Sequence, residues 1–227
     1  MIPLVNFQDY IREAPAASFI FVITIATSVY SFLYDQSIID KFILHPWSIV
    51  RERQHYRILT SALLHANWTH LLVNMVTFYF FVFQLETSIG HWQFVAVYVG
   101  SLIISTISPI MRNKDRPEYY ALGASGAIAG ALFSMIIYML VYYPSAQILL
   151  FFIIPIPTWL FPILYIGYSY WADKRGKDNI GHDAHLWGAI GGFFLTLILD
   201  PDAAVALWYY LGSRIDLLSE TLSIISI

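Results

Sequence analysis

The sequence has no cysteine. That excludes a disulfide framework, an iron–sulfur cluster and a Cys-type zinc site. Charge is nearly as scarce. Only 12 % of the 227 residues are Asp, Glu, Lys or Arg, against about 25 % in a soluble domain. With apolar residues at 58 %, the chain is neither a disordered segment nor a typical secreted scaffold. A net charge of −3 argues against nucleic acid as a partner. What remains is a protein whose solvent is the lipid bilayer.

The few charges are clustered, and the gaps between them define the organisation. No charge lies between Glu13 and Asp35, between Arg57 and Glu86, or between Glu86 and Arg112. The 54 residues between Glu118 and Asp173 are uncharged, as are the 16 between Asp183 and Asp200. A helix needs about 20 apolar residues to cross the hydrocarbon layer. The long run therefore holds two spans, with Tyr143-Pro144-Ser145 as the turn. This predicts an all-α polytopic membrane protein with six transmembrane helices, near residues 16–34, 60–84, 92–111, 121–142, 147–170 and 183–199. The first run is too long for a signal peptide and lacks a cleavage site, so it reads as a retained span. Residues 1–15 form a short N-terminal segment, 16–199 the membrane domain, and 200–227 a tail. The tail is apolar near 203–211 and then carries Arg214, Asp216 and Glu220, which suits an amphipathic surface helix.

Polar side chains at membrane depth are costly and mark function or helix packing. Three clusters stand out. The second helix opens with Ser61 and carries His65, His70 and Asn74; the fourth opens with Gly123-Ala124-Ser125-Gly126; the sixth opens with His182-Asp183-Ala184-His185. Alternating spans make helices two, four and six enter from one side, so the clusters share a leaflet. A serine hydroxyl becomes a nucleophile when a base removes its proton, and histidine is the usual base. His70 and Asn74, at i and i+4, share a helix face and offer donors for an oxyanion. Ser125 stands near a helix N-terminus, which favours negative charge. Gly126 and Gly130, like Gly188 and Gly192, have the small-xxx-small spacing that lets transmembrane backbones approach closely.

These motifs resemble those of the rhomboid family of intramembrane serine proteases, over most of the chain from Tyr56-Arg57 to Gly192. Gly123-Ala124-Ser125-Gly126 is similar to the family's G-x-S-G, Ala184-His185-Leu186-Trp187-Gly188 to its A-H-x-x-G, and His65, His70 and Asn74 to its H-x-x-x-x-H-x-x-x-N. The resemblance implies a rhomboid-like bundle and a serine endopeptidase that cleaves transmembrane segments of membrane proteins. It implies no cofactor and no catalytic metal. Ser125 would be the nucleophile and His185 its base, without a third acidic member. His70, Asn74 and the Ser125 backbone N–H would form the oxyanion hole. Gly123, Gly126, His65, Arg57, Glu86 and Gly188 would support the site, with Arg57 and Glu86 bracing the first loop and the end of helix two. Residues 35–57 would be a loop lying partly in the membrane, and 173–181 a mobile cap. The chain departs from the family at Ala129, where a tyrosine often stacks on the catalytic imidazole; Trp187 and Trp68 are candidates to replace it.

The bland readings stand beside these roles. Asn74 is otherwise helix-to-helix glue, His65 a structural hydrogen-bonding group, and His182 and Asp183 caps of the sixth helix. Pro155, Pro157 and Pro162 read as kinks or a break in helix five. The rival functions are a catalytically inactive rhomboid-like protein that binds membrane clients and a His-ligated membrane metalloenzyme. Orientation is contested. Ten of the 12 Lys and Arg fall in loops one, three and five, which the positive-inside rule would place in the cytoplasm. The resemblance implies the reverse, with the N-terminus inside and the site opening outward across a bacterial inner (plasma) membrane. The sequence names neither a physiological substrate nor an oligomeric state.

Overall fold

A computed structural model describes residues 7–150, 153–175 and 181–225. Twelve α-helices, a 3-10 turn (Ser61–Leu63), a π-helical stretch (Phe78–Val82) that joins α6 to α7, and one two-stranded hairpin make up the described chain: α1 (Phe7–Glu13), α2 (Pro15–Leu33), α3 (Ser37–Phe42), α4 (Pro46–Arg51), α5 (Arg57–Thr60), α6 (Trp68–Thr77), α7 (Phe83–Ile89), α8 (His91–Asn113), α9 (Ser125–Tyr142), β1 (Gln147–Leu150), β2 (Ile154–Pro157), α10 (Leu160–Arg175), α11 (His182–Leu199) and α12 (Pro201–Ile225).

Helix α9 is the axis of the fold. Every residue from Gly126 to Met139 is buried, as expected of a helix that is apolar all round. Its N-terminal half is small, with Gly126, Ala127, Ala129, Gly130 and Ala131, so neighbours come close. Helix α11 runs parallel to it in a register that advances four residues at a time. Gly188 sits on the Gly126 carbonyl and Gly192 on the Gly130 carbonyl, with no room for a Cβ at either glycine of α11. One turn on, Ser134 and Thr196 share a hydrogen bond, and one turn further Tyr138 donates to Asp200. Helix α8 closes the other side, with Ser105 against Gly126 and Ser101 against Gly130.

Among the described residues, four helices are long and apolar enough to cross a membrane: Pro15–Leu33, Trp68–Ile89, His91–Asn113 and Ser125–Tyr142. A fifth is reached if α11 and α12, which meet at 108°, count as one broken span. The expected six are therefore not all present as spanning helices, and the physical reasons are local. In the expected fifth helix, Gln147–Leu150 and Ile154–Pro157 pair as the β1–β2 hairpin instead. Pro155 and Pro157 lack N–H groups, and each pushes the preceding isoleucine to extended backbone. Helix α10 begins only at Leu160 and has 16 residues, about 24 Å of rise against about 30 Å of hydrocarbon. The second span also starts later than expected. The chain breaks after Leu63 and restarts at Trp68, where the Asn67 side chain accepts the His70 backbone N–H at 2.9 Å, a standard N-cap. His65 consequently precedes the helix rather than riding on it.

Two buried ionic groups pin the periphery. Glu86, fully buried, accepts the Ala16 and Ala17 backbone N–H groups at 3.1 and 2.6 Å and binds His91 Nδ1 at 2.7 Å. It thus caps the start of α2 with a negative charge where the helix dipole favours one. Arg57 donates to the Asp40 and Ile43 carbonyls, each at 2.9 Å, and to Gln54, which fixes the segment joining α2 to α5.

The seam makes a direct stability prediction. Gly192→Ala places a methyl against the Gly130 backbone, which cannot move aside, and should cost about 2–3 kcal/mol. Gly167→Ala on α10 meets open space and should be neutral or gain up to about 1 kcal/mol. Thermal unfolding in detergent checks both; a Gly192→Ala protein as stable as the parent would contradict the close backbone approach.

Candidate functional site

The α9–α11 register has a chemical consequence at its open end. Ser125 is the first residue of α9 and His185 lies in the first turn of α11, one step above the Gly126–Gly188 contact. Their side chains meet with His185 Nε2 2.6 Å from Ser125 Oγ, within reach for proton transfer. Both are half-buried and line one cavity of about 1540 Å³, together with His70, Asn74 and Gly123. The carboxylate nearest in sequence, Asp183, is engaged elsewhere. It accepts from Ser108 on α8 at 2.9 Å and from its own Ala184 N–H at 2.9 Å, and it pairs with Arg112 at 3.3 Å. Arg112 also binds Asp173 at the end of α10. Asp183 therefore ties α8, α10 and α11 together. It does not cap its helix as expected, and neither does His182: the N-cap is Gly181, with no side-chain cap bond, and both residues lie inside the first turn.

Gly123 shapes the space beside the serine. Its φ of +124° is backbone that side chains rarely adopt, and its N–H is held by the Ser61 carbonyl at 3.0 Å. A methyl here would lie 2.8 Å from His70 Cε1, 3.0 Å from His70 Nε2 and 3.8 Å from Ser125 Oγ. The missing side chain thus leaves a small gap bordered by the His70 imidazole and the Ser125 hydroxyl. The Ser125 backbone N–H, at the first position of α9, belongs to the turn whose donors have no partner within the helix. Asn74, buried on α6, donates one amide hydrogen to the His70 carbonyl at 2.9 Å; its second amide hydrogen has no such bond.

The remaining predicted residues fall around this centre. His65, fully buried, shares a hydrogen bond with Ser28 at 3.0 Å and meets the His70 ring edge-on at 4.9 Å. Gly126 and Gly188 set the helix approach, and Arg57 holds the first loop. Glu86 lies away from that loop, at the α2 start. Ala129 is buried in α9. Neither tryptophan candidate takes the place of a stacking tyrosine: Trp68 packs on Phe32 at 4.9 Å and Trp187 is exposed. The ring that meets His185 is His182, edge-on at 6.3 Å, and Tyr168 in turn abuts His182 at 5.6 Å. The expected cap, 173–181, falls largely on residues 176–180, outside the described residues. Among the described residues, no three His, Asp or Glu side chains gather as a metal-ligand group. Sequence reasoning missed Ser28, Asn67 and Ser61 as partners. Asn67 was readable as a cap three residues before His70; the Ser28 and Ser61 contacts are purely tertiary.

Comparison with known proteins agrees in extent and kind. The Rhomboid domain family matches residues 52–201. YdcA, a rhomboid-named protein of Bacillus subtilis (strain 168), is 30 % identical over 197 residues, covering 85 % of this chain and 92 % of its own. RHOMBOID-like protein 12, mitochondrial, of Arabidopsis thaliana is 27 % identical over 149 residues, 59 % of this chain and 43 % of its own. Rhomboid protease GluP of Bacillus subtilis is 27 % identical over 152 residues, 67 % of this chain. The match spans only 27 % of GluP's length.

Gly123→Ala should displace the His70 ring while leaving the α9–α11 seam intact. The expected result is a lowered thermal unfolding temperature, from a backbone strain of about 1–3 kcal/mol, with Ser125 in the still folded protein reacting at least tenfold more slowly toward a fluorophosphonate. An unchanged rate would mean that the gap beside Gly123 plays no part in serine reactivity.

Proposed function

The chain belongs to the rhomboid family, and we propose that it is an intramembrane serine endopeptidase that cleaves transmembrane segments of membrane proteins. The observation that carries this reading is the 2.6 Å contact between Ser125 Oγ and His185 Nε2, in a cavity shared with His70 and Asn74. Retention of both groups also favours an active enzyme over a client-binding relative that has lost its chemistry.

The reaction follows from the placement. His185 Nε2 accepts the Ser125 proton as Oγ bonds to the scissile carbonyl carbon. The carbonyl oxygen becomes an oxyanion and enters the gap beside Gly123. There the Ser125 N–H, the His70 ring and the spare Asn74 amide hydrogen are the donors. The C–N bond then breaks, and the imidazolium gives its proton to the departing amine, leaving an acyl-serine. Water, deprotonated by His185, attacks the acyl carbon and releases a new C-terminal carboxylate with Ser125 restored. The buried Gly126–Gly188 contact keeps the dyad aligned without a third, acidic member.

The membrane setting is part of the proposal. The protein is an integral, multi-pass membrane protein, and we place it in a bacterial plasma membrane with its N-terminus inside and the cavity opening outward. The family membership carries this orientation against the positive-inside count, while much of the basic excess near the cavity is engaged within the fold. Arg51 pairs with Asp115, Arg112 with Asp173 and Asp183, and Arg116 with Glu118. Arg57 binds backbone carbonyls, and Lys174 and Arg175 lie over the Tyr170 and Trp171 rings.

Purified protein in liposomes should cleave a single-span substrate. Ser125→Ala and His185→Ala should each lower the rate by several orders of magnitude, and His70→Ala by about a hundredfold. A chelator should leave the rate unchanged, whereas a metalloenzyme would lose it. Equal cleavage by parent and Ser125→Ala would sink the proposal.

A further inference from the structure

The closed end of the α9–α11 seam, opposite the cavity, turns a corner. Asp200 stands at the turn, and its carboxylate makes two ties. One oxygen accepts the Tyr138 hydroxyl of α9, and the other accepts the Ala203 backbone N–H at 3.1 Å. The second bond is an N-cap for α12, with Pro201 in the first helical position. From this corner α12 leaves α11 at 108°. A turn past the perpendicular does not continue α11 outward into water; it sends the helix along the membrane plane. Tyr138 sets the depth. It lies one turn before the end of α9, a spanning helix of 18 residues, which gives about 27 Å of rise against about 30 Å of hydrocarbon. The corner therefore sits at the edge of the hydrocarbon layer.

Three stripes run along α12. Ala203 and Leu207 are buried in the core, and Tyr210 packs against it. Asp202 and Ser213, eleven residues apart and so on one line of a helix, are polar and exposed. Val205 and the residues three, four and ten positions after it, Trp208, Tyr209 and Ile215, share a third face. All four are exposed, Trp208 by 76 % and Tyr209 by 72 %. One stripe thus belongs to protein and one to water, and the third is apolar with no protein against it. At this depth lipid covers such a face, as it covers the neighbouring spans, and Trp and Tyr favour the membrane–water boundary. Charge narrows the kind of lipid contact. The helix carries one basic residue, Arg214, against Asp202, Asp216 and Glu220, and the Arg214 guanidinium lies over the Tyr210 ring at 5.2 Å. Apolar burial, rather than attraction to anionic headgroups, is what this face offers.

We propose that α12 is an in-plane membrane anchor, seated at the headgroup–acyl boundary of the leaflet opposite the cavity, with Val205, Trp208, Tyr209 and Ile215 among the acyl chains. Its partner is the lipid surface, zwitterionic lipid included. Asp200 bonds α9 and α12 at once, so the lipid that holds α12 also fixes the level of the seam whose far end carries Ser125 and His185. The proposal does not depend on the protease reading.

Nitroxide accessibility tests it. The chain has no native cysteine, so Val205→Cys, Trp208→Cys, Tyr209→Cys, Ile215→Cys and Ser213→Cys can each be spin-labelled in the full chain in phosphatidylcholine liposomes. The first four labels should be relaxed about fivefold more effectively by oxygen, which partitions into lipid, than by a water-soluble nickel complex, and the Ser213→Cys label in the reverse sense. Replacing half of the lipid by phosphatidylglycerol should leave this pattern unchanged. Thermal unfolding identifies any variant that misfolds, and the other positions of the stripe then decide. Stripe labels as open to nickel as Ser213→Cys would put the face in water. Stripe labels shielded from both reagents would mean that protein, such as a second copy of the chain, covers it. A lipid pattern seen only with phosphatidylglycerol would mean that charge, not apolar burial, holds the helix. Each of these three results overturns the proposal.

Discussion

Two helix backbones meet at the centre of this protein where glycine leaves the space of a side chain. Along α9 and α11 the contacts repeat every four residues, from Gly126–Gly188 through Gly130–Gly192 to the Ser134–Thr196 and Tyr138–Asp200 hydrogen bonds. In a bilayer, lipid is as apolar as leucine, so close packing and polar contacts between helices take over from the hydrophobic effect. The register they impose places the first turns of the two helices side by side. Ser125 and His185 meet there because everything below them fixes the rotation and height of both helices. A lysine or a leucine at Gly188 would separate the pair without touching either residue.

The surrounding elements hold this arrangement open on one side. Asp183 bonds α11 to α8 and, through Arg112, to α10. Gly123 turns the chain so that His70 can lie beside the serine, and Asn67 fixes where His70 begins its helix. Glu86 anchors α2 from beneath, and His65 reaches α2 through Ser28. Many buried polar side chains thus either line the candidate site or tie helices together.

Much of this was legible in the sequence because it depends on local spacing. The charge-free runs located α2, α8, α9 and α11 to within a few residues. The i, i+4 glycines announced the seam, and alternation of spans led to the polar groups His70, Asn74, Ser125 and His185 that line one cavity. Tertiary competition hid the rest. The apolar run 147–170 was long enough for a span, yet Ile-Pro-Ile-Pro favours extended backbone, and the chain there pairs with itself. The second span was drawn through Leu64–Asn67, where the Asn67 cap restarts the helix. Arg57 and Glu86 were expected to brace the first loop and the end of helix two; Glu86 does stand at the end of that span, but its choice of the α2 N–H groups as partners follows from packing that no spacing rule contains. The substitute for a tyrosine at Ala129 was sought among tryptophans, while the ring that meets His185 is its own helix neighbour His182.

The central claim is that Ser125 is a nucleophile activated by His185. Mass spectrometry of the membrane-embedded protein after treatment with a fluorophosphonate tests it most directly. The account predicts one phosphonylated residue, Ser125, with the adduct lost in His185→Ala although that variant remains folded. Adducts on other serines only, or undiminished labelling of Ser125 in His185→Ala, would contradict it.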